Sequence, residues 1–170
     1  MLEPSRASCI QRLVLALSLL GLTFQATPAR AGDITVFLST ANPSEAWGGG
    51  WGGALSSSWF EVLAFEAELA WQSGDAGVDL DELKMTSFTA SGLVAPPIGF
   101  ITPYAGVGFG LFRQSLGSES DTGRVRAFIL GAKLSVGIVV LKAEYRKLEL
   151  SGDPLLDIDT RWSVGGGVSF

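Results

Sequence analysis

The chain has 170 residues, 12 Lys and Arg against 17 Asp and Glu, and a formal net charge of −5, which argues against a nucleic-acid partner because phosphate contacts need a cationic surface. Apolar residues make up 47% of it, with 22 Gly and 5 Trp. Beyond the N-terminal segment no unbroken apolar run reaches the roughly 20 residues of a transmembrane helix, so the hydropathy must be spread over strands.

Residues 1–31 are expected to be a cleaved signal peptide. Arg6 and Arg12 precede an apolar run from Leu13 to Leu22, and Ala29 and Ala31 put small residues at the two positions a signal peptidase reads. Cys9, the single cysteine, lies before the apolar run rather than after it, so no lipid anchor is expected. The mature chain, 32–170, is then one domain without a thiol, and disulfides are excluded even in an oxidising compartment.

Along the mature chain, apolar and polar or small residues alternate in segment after segment. Ile34, Val36 and Leu38 oppose Thr35, Phe37 and Ser39 up to the turn residues Asn42, Pro43 and Ser44. Trp51, Gly53 and Leu55 then oppose Gly50, Gly52 and Ala54, and Leu63, Phe65, Ala67, Leu69 and Trp71 oppose Glu66 and Glu68. The next segment, 84–95, sets Phe88, Ala90 and Val94 against Ser87, Thr89 and Ser91 and closes on Pro96 and Pro97. Pro103 opens a strand in which Ala105, Val107, Phe109 and Leu111 face away from Tyr104, Gly106, Gly108 and Gly110. Phe128, Leu130, Ala132, Leu134 and Val136 follow, then Leu141, Ala143 and Tyr145 opposite Lys142, Glu144 and Arg146. The last segment places Trp162, Val164, Gly166, Val168 and Phe170 on one face, with an aromatic residue at its end.

Eight candidate strands of a length that crosses a bilayer at a tilt result, with short connections expected at 56–58, 95–102 and 137–139 and longer acidic ones at 73–82, 115–123 and 151–159. Alternation alone also fits a soluble lipocalin-type barrel or a β-sandwich. The small size of the polar face, with Gly106, Gly108, Gly110, Gly131, Gly165 and Gly167, fits a crowded lumen better than a soluble surface. The expected fold class is therefore all-β: an eight-stranded antiparallel transmembrane up-and-down β-barrel.

The mature chain resembles the small outer-membrane β-barrel family, the OmpA/OmpX-like and opacity-protein group. Three stretches carry the resemblance. Pro103, Tyr104, Gly106, Gly108 and Gly110 are similar to the family's Pro-Tyr-x-Gly-x-Gly-x-Gly strand, and Leu141, Glu144, Tyr145 and Arg146 to its Leu-x-x-Glu-Tyr-Arg strand. Ser163, Gly165, Val168 and Phe170 match the polar-x-Gly-x-x-apolar-x-aromatic signal read by the barrel-assembly machinery. The resemblance implies a monomer in the bacterial outer membrane, with membrane lipid, lipopolysaccharide and the assembly machinery as partners.

Some barrels of this size are lipid A deacylases or palmitoyltransferases that use a histidine with a serine, but this chain has no histidine. Ser115, Ser118 and Ser120 lack a base to activate them, and Lys84, Lys133, Lys142 and Lys147 have no motif beside them. Neither catalysis nor a cofactor is expected. The polar face carries Glu66, Glu68 and Glu144 against Lys133, Arg146 and Arg161, which are expected to pair as a lumen charge network because buried charge is costly alone. Asp79, Asp81 and Glu82, or Asp157 and Asp159, approach calcium-ligand spacing but lack the glycine and distal glutamate of a full loop, so solvated charge and no metal are expected. The function expected is structural or surface-interacting with a filled lumen. The alternatives are a narrow ion-conducting pore and, behind it, a soluble lipocalin-like binder.

Overall fold

The computed structural model describes residues 32–43, 48–60, 62–75, 82–116, 119–152 and 158–170; the expected signal peptide lies outside them. Eight strands follow in chain order: β1 (Asp33–Pro43), β2 (Gly48–Trp59), β3 (Leu63–Asp75), β4 (Glu82–Val94), β5 (Ile101–Leu116), β6 (Glu119–Val136), β7 (Val139–Ser151) and β8 (Ile158–Ser169). Each pairs antiparallel with its sequence neighbour, and β1 pairs with β8, so the sheet closes and no edge is left open.

The register fixes the shape. Starting at Val94 in β4, the paired residues run through Ala105, Leu130, Tyr145, Trp162, Thr40, Gly49 and Ser73 and return to β4 at Lys84, a shift of ten residues. With ordinary rise and strand spacing, that shift around eight strands tilts them by about 40° and leaves an interior that side chains fill.

Alternation sorts the side chains as the sequence predicts, with one face inward and the other outward. Outward are Ile34, Val36 and Leu38 of β1, Trp51 and Leu55 of β2, Phe65 and Leu69 of β3, Val107, Phe109 and Leu111 of β5, Phe128 and Leu130 of β6, and Trp162, Val164 and Val168 of β8, all exposed. Inward are Glu66, Glu68, Glu144, Arg146 and Arg161, all buried. This is the reverse of a lipocalin-type barrel, and that alternative falls. Outward aromatic pairs add to the apolar surface: Trp51 stacks on Trp71 with ring centroids 4.5 Å apart, and Tyr145 meets Trp162 at 4.8 Å.

The small inward residues are needed where a ring lies flat on the wall. A Cβ at Gly131 would stand 2.4 Å from the Tyr104 ring, and one at Gly52 would stand 2.4 Å from the Phe37 ring. Each large residue thus occupies space that a glycine on the neighbouring strand leaves open.

Two connections differ from expectation. Residues 56–58 are not a turn: β2 continues through them to Trp59, and the chain reverses at Phe60, whose φ of 49° is the left-handed region a tight reversal needs. Ser56 to Ser58 are polar enough to look like a loop, but here they end a strand near the rim. Likewise 115–123 is mostly strand, because β5 runs to Leu116 and β6 starts at Glu119. The two strands pair through Ser115 with Ser120 and Gln114 with Asp121, so this hairpin extends the wall.

Candidate functional site

The densest polar chemistry lies in the lumen, where β3, β7 and β8 bring Glu66, Glu68, Glu144, Arg146 and Arg161 together. Alternation makes this possible: Glu66 and Glu68 are two apart on β3, as are Glu144 and Arg146 on β7, so each pair shares the inward face. Arg146 is the hub. Its Nη2 reaches Glu66 Oε1 at 2.7 Å and Glu68 Oε2 at 2.8 Å, its Nε donates to Glu144 Oε1, and its Nη1 donates to Thr89 Oγ1 at 3.1 Å. Arg161 Nη2 holds Glu68 Oε1 at 2.5 Å, and its guanidinium lies over the Phe37 ring, 5.3 Å from the centroid.

The sixth member is not the one expected. Lys142 occupies the place assigned to Lys133, contacting Glu66 Oε2 at 2.6 Å and Glu144 Oε2 at 2.9 Å. Lys133 instead pairs with Asp33 Oδ2 at 2.6 Å, and Ser56 Oγ donates to the same oxygen at 3.2 Å. The two lysines sit directly opposite each other on β6 and β7. Their choice of partner follows from strand neighbours: Lys142 is two residues from Glu144 on its own inward face, whereas Lys133 is close to the mouth, where Asp33 begins β1. The position of Lys142 in the Lys142, Glu144, Arg146 alternation was the available signal. Tyr104, which donates its hydroxyl to Glu144 Oε2 at 3.0 Å, and Thr89 also join the cluster without an individual sequence signal.

Three carboxylates therefore meet three cations in a buried, neutral cluster. The carboxylates of Glu66, Glu68 and Glu144 lie within 4.8 Å of one another, a spacing that suits a cation. Arg146 already contacts all three, so the charge a metal would neutralise is met by the protein's own side chains. On the loop side of this cluster the lumen turns apolar, with Met85, Phe112, Val125, Leu148 and Ile158 packed together. A cavity there, lined by Gln72, Leu83 and Met85, measures about 20 Å³, room for about one water. At the opposite mouth a cavity of about 130 Å³ is lined by Ser58, Glu66, Thr102, Tyr104, Lys133 and Lys142.

The closing strand places its four singled-out residues on both faces. Ser163 is buried and Gly165 lies inward beside it, whereas Val168 and Phe170 are exposed. Phe170 donates its backbone N–H to Gly32 O at 2.9 Å, and a Cβ on Gly32 would stand 2.8 Å from its ring. The chain's last residue is thus held at the end where β1 begins.

Of the serines weighed as nucleophiles, Ser115 and Ser120 pair across the β5–β6 hairpin and Ser118 lies outside the described residues. Lys133 and Lys142 are both engaged by carboxylates. Asp79, Asp81 and Asp157 lie outside the described residues, while Asp159 is exposed on β8.

No family model matches the chain, and no curated protein matches its sequence. Solved structures do match its fold. Neisserial surface protein A is similar over 82% of this chain and 94% of its own, with a TM-score of 0.63 at 18% identity. The attachment invasion locus protein Ail of Yersinia pestis is similar over 84% of this chain and 99% of its own, with a TM-score of 0.54 at 16% identity. Ail has also been solved in complex with sucrose octasulfate, a heparin analogue. The chain has the fold of these small eight-stranded barrels over nearly their whole length.

Proposed function

We propose that this protein is a bacterial outer-membrane barrel with a sealed lumen, whose role is structural or surface-interacting and does not include catalysis or conduction. The observation that carries the reading is the outward apolar face on a ladder without edges. A soluble protein gains nothing from exposing Val36, Leu38, Phe109, Leu130 and Val164, whereas in a bilayer those side chains meet hydrocarbon and the closed ladder presents no open strand edge to it. The fold shared with Neisserial surface protein A and Ail supports the same location.

Orientation follows from the ends. The short connections, Gly32 at the entry to β1 and Phe170 after β8 lie at one end, and by the usual arrangement this is the periplasmic side. Among the described residues the exposed charges, including Lys84, Arg113, Glu119, Arg126, Lys147 and Asp159, belong to the opposite, loop-bearing end.

The lumen supports a plug rather than a pore. An ion would have to part the Arg146 cluster and then cross the apolar packing of Phe112, Val125 and Leu148. A two-part experiment tests the proposal. The protein extracted from outer membranes should migrate differently on gels before and after boiling, as closed barrels do, and in planar bilayers it should show no steady conductance. Recovery as a soluble periplasmic protein would overturn the membrane reading; a stable open current would overturn the sealed lumen and favour the pore.

A further inference from the structure

The outward cations are gathered on one side of the barrel, on β4 to β7. Arg113 of β5, Arg124 and Arg126 of β6 and Lys147 of β7 are exposed on adjacent strands, directly beyond the apolar band, and Lys84 of β4 continues the row. The register makes them one patch. Leu111 pairs with Arg124 and Arg113 with Thr122, so Arg113 and Arg124 are diagonal neighbours. Arg126 pairs with Glu149 and Phe128 with Lys147, so Arg126 and Lys147 are diagonal neighbours as well. Among the described residues, Arg113, Arg124, Arg126 and Lys147 carry no salt bridge. The register sets Ser73 beside Lys84 at one end of the row, with Gly49 and Thr40 next in that direction, and Thr160 beside Lys147 at the other, none of them a cation.

Immediately under Lys147 the outward wall is hollow. Ala143 floors an open groove of about 720 Å³ walled by Leu38, Leu130, Trp162 and Val164, with Tyr145 at its upper end. The groove continues towards the turn end past Ala132, which pairs with Ala143.

We propose that this patch and groove together form a site for one phosphorylated, acylated lipid of the outer leaflet, the chemistry of the lipid A part of lipopolysaccharide. The proposal rests on the membrane reading above, and it gives that reading a specific partner surface. Charge complementarity selects the occupant. Guanidinium groups grip phosphate oxygens in pairs, an ammonium adds a point charge, and the neighbouring acids Glu119, Glu149 and Asp159 are outnumbered, so the patch stays positive in a chain that is acidic as a whole. The vertical order matches an amphipathic lipid: cations at headgroup level, Tyr145 and Trp162 at the interface, then an apolar channel for an acyl chain. A collar serving only the general membrane interface would surround the barrel, and this one does not.

The test uses the purified protein in phosphatidylcholine nanodiscs, titrated with diphosphoryl lipid A, with the same lipid stripped of phosphate, or with inorganic phosphate, and retention read by native mass spectrometry. The wild type should retain the diphosphoryl lipid and neither of the others, with retention falling as salt rises. The triple variant Arg124→Ala, Arg126→Ala, Lys147→Ala should lose about a hundredfold in retention at low salt, the combined effect of three surface cations. Ala143→Leu, which fills the groove and leaves every cation in place, should weaken retention while the heat-dependent gel shift persists. Equal retention by wild type and triple variant, or retention of the dephosphorylated lipid as strong as that of the phosphorylated one, would overturn the site while leaving the barrel standing. A wild type that enters no bilayer would overturn the membrane reading and the site with it.

Discussion

Removing Arg146 is the sharpest perturbation of the lumen. In Arg146→Ala, Glu66 and Glu144 still share Lys142, and Glu68 keeps Arg161, so three buried carboxylates are left with two cations. Taking one partner out of a buried ion pair typically destabilises by about 3 to 5 kcal/mol, because the charge that remains has lost its solvent and its partner. Arg146 touches three acids, which puts the expected loss at the upper part of that range. Urea unfolding of the barrel in lipid vesicles, followed by tryptophan fluorescence and extrapolated linearly, measures it. Adding Glu144→Gln removes the excess negative charge and should return about 0.5 to 3 kcal/mol of the loss, the usual coupling between residues in contact. A loss below about 1 kcal/mol, or no recovery in the double variant, would refute the neutral-cluster reasoning.

Gln72 is buried and its side-chain amide has no partner among the described residues, so Gln72→Leu should leave stability unchanged or raise it by about 1 to 3 kcal/mol in the same unfolding assay. Gly131→Ala should lower stability by about 1 to 3 kcal/mol, since its Cβ would meet the Tyr104 ring at 2.4 Å, and Tyr104→Ala combined with it should show no further penalty from the clash. Deleting Phe170 should sharply reduce assembled protein in cells while the purified variant still folds into micelles, because a rim residue that is 66% exposed stabilises the finished barrel by less than about 3 kcal/mol. Parallel failure of folding in both settings would assign Phe170 to anchoring, and normal assembly in cells would remove it from the assembly signal.

Much of the wall was legible because one face of each strand carries its apolar residues. Ile34, Val36 and Leu38, or Phe128, Leu130 and Leu134, announce a strand and its outward side in the same stroke. The ends of strands were harder, since beyond the apolar band a strand has no reason to be apolar: Ser56 to Ser58, Ser115 and Leu116, and Glu119 to Gly123 look like loops and are paired wall. The same blindness concealed the cationic patch, whose members are spread over β4 to β7 and are brought side by side by register. Inside the lumen, alternation identified which charges point inward, but partner choice depends on height along the barrel axis. That is why Lys142 rather than Lys133 completes the cluster and why Asp33, at the first residue of β1, went unnoticed as the partner of Lys133.

The central claim is that the outward face of this barrel is in hydrocarbon. It is tested most directly by placing a nitroxide in turn at Val139, Leu141, Ala143, Tyr145 and Lys147, the successive outward positions of β7, in the protein reconstituted into bilayers. Collision rates with oxygen, which concentrates in lipid, and with a water-soluble nickel chelate give a depth for each. Oxygen access relative to nickel should peak near Ala143 and fall towards both Val139 and Lys147. High nickel access at Leu141 and Ala143 would show that this face is in water and would contradict the account.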